Sequence, residues 1–205
     1  MDPAGRTAFD AAYARADTAE PSWRESRPDT SLELLGLLGL DRSAPVADVG
    51  GGDSTLVDEL LAAGFCAVTV VDLSATALAR TSARLGADER VTLVHADVLE
   101  WRPAAPLGGW HDRACLHFVT DEADRARYVE VLAASLRAGG GVVVGCFAPD
   151  GPERCSGLEV RRAAPEELAE LLGARFEVVE VRRTLHVTPG GATQPFSWVA
   201  ALRAD

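Results

Sequence analysis

Val46-Ala-Asp-Val-Gly-Gly-Gly-Asp53 sets the expected fold of this chain. A short apolar run carrying Asp48 leads into Gly50, Gly51 and Gly52, and an amphipathic run begins at Ser54. Strand, glycine turn and helix start, in that order, let a backbone come close to a nucleotide-like ligand. A Cβ at the glycines would block the approach, and the turn can itself require positive φ. The amides that open the following helix point toward the same ligand. Alone, the cluster is equally compatible with a plain strand-to-helix turn, so its surroundings decide.

Downstream the periodicity alternates between strand and helix. Leu56, Val57, Leu60 and Leu61 form one helical face closed by Gly64, and 67–71 is a β-branched run suited to a strand buried on both faces. Ser74 is placed to cap a helix carrying Ala77, Leu78 and Leu85. Val91–Val94 is a third strand, Trp110 lies near a fourth, and Thr120 or Asp121 caps a helix presenting Tyr128, Val131, Leu132 and Leu136. Gly139-Gly-Gly141 turns into a fifth strand, Val142–Phe147, and Pro165 opens a helix that runs to Gly173. Two strands then follow in succession, 176–187 and 196–202, joined by a turn-rich stretch beginning Thr188-Pro-Gly-Gly.

The expected architecture is α/β: a Rossmann-like, doubly wound seven-stranded sheet, mostly parallel, with an antiparallel C-terminal hairpin. It is expected as a single domain over 1–205, with a ligand-binding core at 45–205 and a helical arm or lid at 1–44. In the arm, Phe9, Ala12, Tyr13 and Ala16 share one helical face, 20–29 is a polar loop, and a helix runs from Ser31 to Leu40. Trp23 in that loop either anchors the arm on the core or covers the ligand.

A chain of 205 residues, 47% hydrophobic and 25% charged, can bury the core of one such domain. A formal charge of −11 argues against nucleic acid or an anionic membrane as partner. No apolar run approaches the roughly 20 residues of a membrane span, and no signal-peptide core follows Met1. Cys66, Cys115, Cys146 and Cys155 have no close pairing, as expected of thiols in a reducing cytoplasm. A soluble cytoplasmic protein with a small-molecule partner is expected.

Three acids, Asp48, Asp72 and Asp97, fall at the carboxyl ends of the first three strands, where open α/β sheets bind ligands. Asp72 follows Gly50 by 72 − 50 = 22 positions, close to the roughly 20 expected of an acid that receives both ribose hydroxyls. A nicotinamide dinucleotide fingerprint needs glycine at the sixth position from Gly50, and that position is Thr55. An acid just ahead of the glycines faces a pyrophosphate unfavourably and suits a cationic ammonium and sulfonium. S-adenosylmethionine (SAM) is therefore favoured over NAD.

Asp48-Val-Gly-Gly-Gly-Asp resembles the first motif of class I SAM-dependent methyltransferases, Asp72-Leu73 the second, and Asp97-Val98 the third. Ala138-Gly-Gly-Gly141 and the closing hairpin are similar to later parts of the same family, over roughly residues 30–203. The resemblance implies that Asp48 and Gly50–Gly52 hold the methionine end, Asp72 the ribose, and Asp97 the adenine amino group. Leu73 and Val98 are expected beside the cofactor, and so is Trp23. The last family glycine is Ser54 here, which can still cap the helix.

Trp110-His-Asp-Arg-Ala-Cys-Leu-His-Phe118, with Asp124-Arg-Ala-Arg-Tyr128, is similar to a stretch of thiopurine and related thiol S-methyltransferases. A comparable stretch also marks some lysine N-methyltransferases. The resemblance puts Asp112 against the cofactor's methionine part and Arg113 near the methyl acceptor. An arginine beside a thiol raises its thiolate fraction, whereas an amine or phenol needs a base, for which His117 is the candidate. His111 and His117 have no third ligand, so no metal is expected. The expected activity is methyl transfer to a small-molecule thiol. A lysine or small-molecule N- or O-methyltransferase and a non-catalytic SAM-binding module are the alternatives. The stretch Phe147–Gly157 is the expected source of acceptor specificity.

Overall fold

The computed structural model describes residues 9–11, 13 and 20–205. Ala12 and Ala16, expected on the arm's apolar face, lie outside the described residues. Phe9, Asp10, Ala11 and Tyr13 are helical. Helix α1 spans Asp29–Leu37, two residues earlier than expected because it starts directly after Pro28. Gly39, with φ +59°, ends this segment.

Strand β1 (Val46–Val49) is buried at every position and enters the glycine turn, after which α2 (Leu56–Ala62) turns Leu56, Val57, Leu60 and Leu61 inward. Ser54 Oγ accepts from the Leu56 amide at 3.1 Å, so the serine that replaces the family glycine does help start the helix. Strand β2 (Val68–Asp72) leads into α3 (Ala75–Leu85), whose N-cap Ser74 accepts from Ala77 N as expected. Strands β3 (Val91–His95) and β4 (Leu107–Arg113) follow. Asp121 rather than Thr120 caps α4 (Glu122–Ser135), accepting from the Ala123 and Asp124 amides.

Strand β5 (Leu136–Phe147) begins six residues before the expected Val142. Leu136 already pairs with Leu107, and an irregularity then absorbs the glycines before Gly109 pairs with Gly141. The segment after β5 contains a small hairpin, β6 (Arg154–Cys155) and β7 (Leu158–Glu159). Its two turn residues, Ser156 (φ +53°) and Gly157 (φ +84°), are both left-handed, as a two-residue hairpin turn requires. Helix α5 (Pro165–Leu172) precedes β8 (Phe176–Val187) and β9 (Thr193–Arg203).

The seven main strands lie in the order β3-β2-β1-β4-β5-β9-β8. β1 through β5 pair in parallel, while β9 runs antiparallel to both β5 and β8. The α/β sheet with its reversed C-terminal hairpin is as the sequence leads one to expect. Apolar clusters cover both sheet faces: one joins Trp110, Tyr128, Leu132 and Leu168, the other Leu34, Leu56, Leu60, Phe147 and Trp198. Each fully buried leucine contributes about 1.5–3 kcal/mol relative to exposure. The strand order reverses between β1 and β4, and the carboxyl ends there leave the crevice used by open α/β sheets. Among the described residues no helix is long and apolar enough to cross a membrane.

Candidate active site

A cavity opens over the carboxyl ends of β1, β2 and β4, and Phe9, Tyr13, Trp23 and Glu25 of the arm line it as well. Of the residues singled out from the sequence, Trp23, Asp48, Gly50, Gly51, Asp72, Leu73, Val98 and Arg113 all line it. The glycines of the turn are closely packed by the protein's own side chains. Gly50 has φ +65°, and a Cβ there would sit 2.6 Å from Cys115 Cβ. A Cβ on Gly51 would fall 2.5 Å from Asp48 Oδ2.

Asp48 is held from one side only. Its Oδ1 lies 2.8 Å from His111 Nδ1, and His111 Nε2 lies 2.9 Å from Ser31 Oγ. A carboxylate only accepts, so the hydrogen of that contact sits on Nδ1. Asp48 Oδ2 is buried with no hydrogen-bond partner among the described residues. A buried carboxylate oxygen without a protein donor, on a residue that lines the cavity, is the fit expected for a ligand cation.

Asp72 Oδ1 accepts from Ser74 N at 2.7 Å. Burial pushes its pKa up to about 6, against bonds from the Ser74 and Gly52 amides, with Asp48 and Asp53 adding repulsion. Gly52 lies against the Tyr13 hydroxyl and Asp72, so Tyr13 occupies the space beside the third glycine. Asp53 is paired instead with Arg24, at 2.9 Å.

Three expected residues stand behind the cavity wall. Asp97 is buried and accepts from Leu99 N at 3.0 Å. Asp112 is fully buried, accepting from Cys115 N at 2.9 Å and from the Tyr128 hydroxyl at 2.7 Å, while Trp110 Nε1 donates to that hydroxyl at 3.1 Å. Burial raises Asp112 to about 6. Its carboxylate fastens the turn after β4, where Ala114 holds a left-handed φ of +66° and lines the cavity.

His117 is also fully buried and does not line the cavity. Its ring packs on Phe118 at 4.4 Å and Phe147 at 4.8 Å, and neither nitrogen has a hydrogen-bond partner among the described residues. Burial, then the nearby Arg113 charge, lowers its pKa to about 3. In this arrangement it is a weak base out of reach of a ligand.

Arg113 reaches the arm rather than Asp112. Nη1 donates to Trp23 O at 3.0 Å, Nη2 lies 3.2 Å from Glu25 Oε1, and the guanidinium sits 5.0 Å from the Phe196 ring. His186 clasps the same loop, with Nε2 donating to Ser22 O at 2.6 Å and Nδ1 3.4 Å from Glu25 Oε1. His186 is thus a buried clasp on the arm.

The structure adds Tyr13, Glu25, His111, Cys115, Cys155 and Ser156 to the cavity wall. His111 faces Asp48 through the β1–β4 register, which the sequence alone does not provide. Cys155 and Ser156 come from the hairpin inside the stretch expected to confer specificity. Among the described residues there is no cluster able to hold a metal ion.

Residues 46–140 match a family described as a methyltransferase domain. No curated protein matches the sequence. Among solved structures, Burkholderia thailandensis 1,6-didemethyltoxoflavin-N1-methyltransferase, bound to 1,6-didemethyltoxoflavin and S-adenosylhomocysteine, is similar at 29% identity and TM-score 0.75, covering 100% of this chain and 92% of that one. The N-methyltransferase NodS from Bradyrhizobium japonicum WM9, with S-adenosyl-L-homocysteine, shares the fold at 15% identity and TM-score 0.74, covering 96% and 98%. The glycopeptide N-methyltransferase MtfA shares it at 20% identity and TM-score 0.69, covering 94% and 97%. Strand order, the cavity at the strand ends and these matches together make the chain a SAM-dependent methyltransferase.

Proposed function

We propose that the protein transfers the methyl group of SAM to a nitrogen of a small molecule in the cavity over β1, β2 and β4. The observation that carries this is Asp48: one oxygen is fixed by His111 and the other is buried beside Gly51 without a hydrogen-bond partner among the described residues. That free oxygen suits the cofactor's ammonium. Gly50 and Gly51 bring the backbone close to its methionine end, Gly52 keeps the turn with its left-handed φ of +52°, Asp72 receives the ribose hydroxyls, and Leu73 and Val98 flank the adenine. Asp97 shapes the adenine end from behind, and Asp112 keeps the Cys115–Leu116 turn in place. Trp23, with Phe9 and Tyr13 of the arm, covers a core at 45–205.

Bound SAM supplies an electrophilic sulfonium methyl: the acceptor lone pair forms the new bond to carbon, the carbon–sulfur bond breaks, and sulfur keeps its electron pair as a neutral thioether. The acceptor nitrogen gains the positive charge and loses its N–H proton to solvent. What the chain adds is in-line placement and exclusion of water.

The charges around the cavity favour a neutral nucleophile over the thiol expected from the sequence. Burial pushes the Cys115 thiol well above its usual range, and Asp112, Asp72, Asp97 and Asp48 push it further. An incoming thiol meets the same acids, and the Arg113 charge is already matched by Glu25. A nitrogen lone pair needs no ionisation. The Burkholderia thailandensis relative is by its description an N1-methyltransferase. Labelled SAM with a panel of nitrogen heterocycles, amines and thiols tests the choice: nitrogen acceptors are expected to show the higher kcat/KM. Faster transfer to any thiol than to every nitrogen compound would restore the thiol acceptor.

A further inference from the structure

Among the described residues, Trp23 Nε1, Asp48 Oδ2, Arg113 Nε and Arg113 Nη2 are buried side-chain atoms without a hydrogen-bond partner, and all three residues line the cavity. Buried polar atoms in native proteins are nearly always partnered, so such a group at a cavity marks what the ligand must provide. The chemistry differs between the two sides. Asp48 can only accept, whereas indole and guanidinium N–H groups can only donate.

Arg113 Nη1 donates to the backbone oxygen of Trp23 at 3.0 Å, so the two residues meet at one corner of the cavity wall. Glu25 Oε1 lies 3.2 Å from Arg113 Nη2 and compensates the guanidinium charge without a well-aligned hydrogen bond to it. A second carboxylate beside Glu25 would be repelled, so a neutral oxygen suits this corner better than an anion. The cavity wall also carries aromatic rings: Phe118 lines it with Phe9 edge-on to it at 4.8 Å. Such rings accept flat partners by stacking or edge contacts.

We infer that the methyl acceptor is a flat, neutral nitrogen heterocycle bearing a carbonyl-type oxygen, and that this oxygen takes the free N–H groups of Trp23 and Arg113. The inference rests on the methyltransferase function proposed above. The same donors could also serve an oxygen from another source, the carboxylate of the cofactor, so the test separates the two.

The full chain is assayed with labelled SAM against matched pairs of heterocycles, each a cyclic amide or imide and its counterpart lacking the oxygen. S-adenosylhomocysteine affinity is measured in parallel by calorimetry, and both are repeated for Trp23→Phe. A site built around a hydrogen bond rejects the analogue that lacks it by large factors. The wild type is expected to prefer the oxygen-bearing member by about 100-fold in kcat/KM. Trp23→Phe should lower that preference to below about tenfold, with S-adenosylhomocysteine affinity unchanged within about threefold. Equal turnover of the two members by the wild type overturns the inference. So does a Trp23→Phe protein that keeps the preference but binds S-adenosylhomocysteine more weakly, which would assign the donors to the cofactor. Transfer to thiols alone would overturn the nitrogen acceptor, and no binding of S-adenosylhomocysteine by the wild type would overturn the proposed site itself.

Discussion

His111 Nδ1 and Asp48 Oδ1 are 2.8 Å apart on neighbouring strands, and both side chains are only 3% exposed. The contact leaves Asp48 with a single orientation, and Ser31 on α1 fixes the far side of the ring. His111 is thus a positioning residue for the oxygen that faces the glycine turn. His111→Phe is expected to weaken S-adenosylhomocysteine binding roughly 10- to 100-fold, as loss of a hydrogen bond to a charged group costs about 1.5–3 kcal/mol. His111→Asn keeps a donor and should restore part of the affinity. Calorimetric titration checks both, and equal losses for the two variants would reduce His111 to a packing role.

Burying the Asp72 carboxylate costs the fold stability at neutral pH. Its pKa rises from 3.8 to about 6, so the folded state holds the proton more tightly than the unfolded chain. The cost is absent below pH 3.8 and complete above about 6, amounting to ~3 kcal/mol. Asp72→Asn should therefore melt about 5 °C or more above the wild type at pH 8, with the gap closing toward pH 4. The same variant should bind SAM far more weakly. A gap independent of pH would remove this explanation.

His117 titrates in the opposite sense. Its pKa falls from 6.5 to about 3, so no cost exists above pH 6.5, and one grows as pH falls from there toward 3. His117→Leu is expected to gain stability relative to the wild type as the buffer is acidified from pH 7 to 5. Because His117 lies outside the cavity, its turnover at pH 8 should stay within about threefold of wild type. A loss of a hundredfold or more in kcat, with KM unchanged, would make His117 the base.

Glu25 joins the arm to the ends of β4 and β8 through Arg113 and His186. Burial raises its pKa, yet the His186 hydrogen bond and the Arg113 charge outweigh that and leave it below the ordinary 4.5. A depressed carboxyl stabilises fully above pH 4.5 and loses its effect as pH falls below that value. Glu25→Gln should speed proteolysis within the arm at pH 7 several-fold and raise KM for the acceptor. Unchanged cleavage at both pH 7 and pH 4 would mean that the ion pairs do not hold the arm.

The strand-end acids and the glycine turn were legible because each follows from local pattern: a strand that ends, a glycine that a Cβ would clash with, a serine that caps. Contacts that depend on register were not. Asp48 meets His111 across 63 positions of sequence, and Glu25 meets His186 across 161. The stretch from Trp110 to Tyr128 resembles a thiol-methylating subgroup, yet Trp110, Tyr128 and Asp112 form one buried hydrogen-bonded chain beneath the site. Residues that serve the scaffold in this way carry little information about the acceptor. Arg113, from the same stretch, does reach the cavity, but its partner Glu25 comes from a polar loop with no periodicity to announce it.

The most direct test is a calorimetric titration of S-adenosylhomocysteine into the wild type and Asp48→Asn, with folding of both confirmed by circular dichroism. Wild-type binding at micromolar or tighter Kd is expected, with a loss of about 100-fold in Asp48→Asn, whose amide places an N–H donor where an acceptor is needed. Equal affinity in the two proteins, or no binding by the wild type, would contradict the assignment of Asp48 and the glycine turn as the cofactor site.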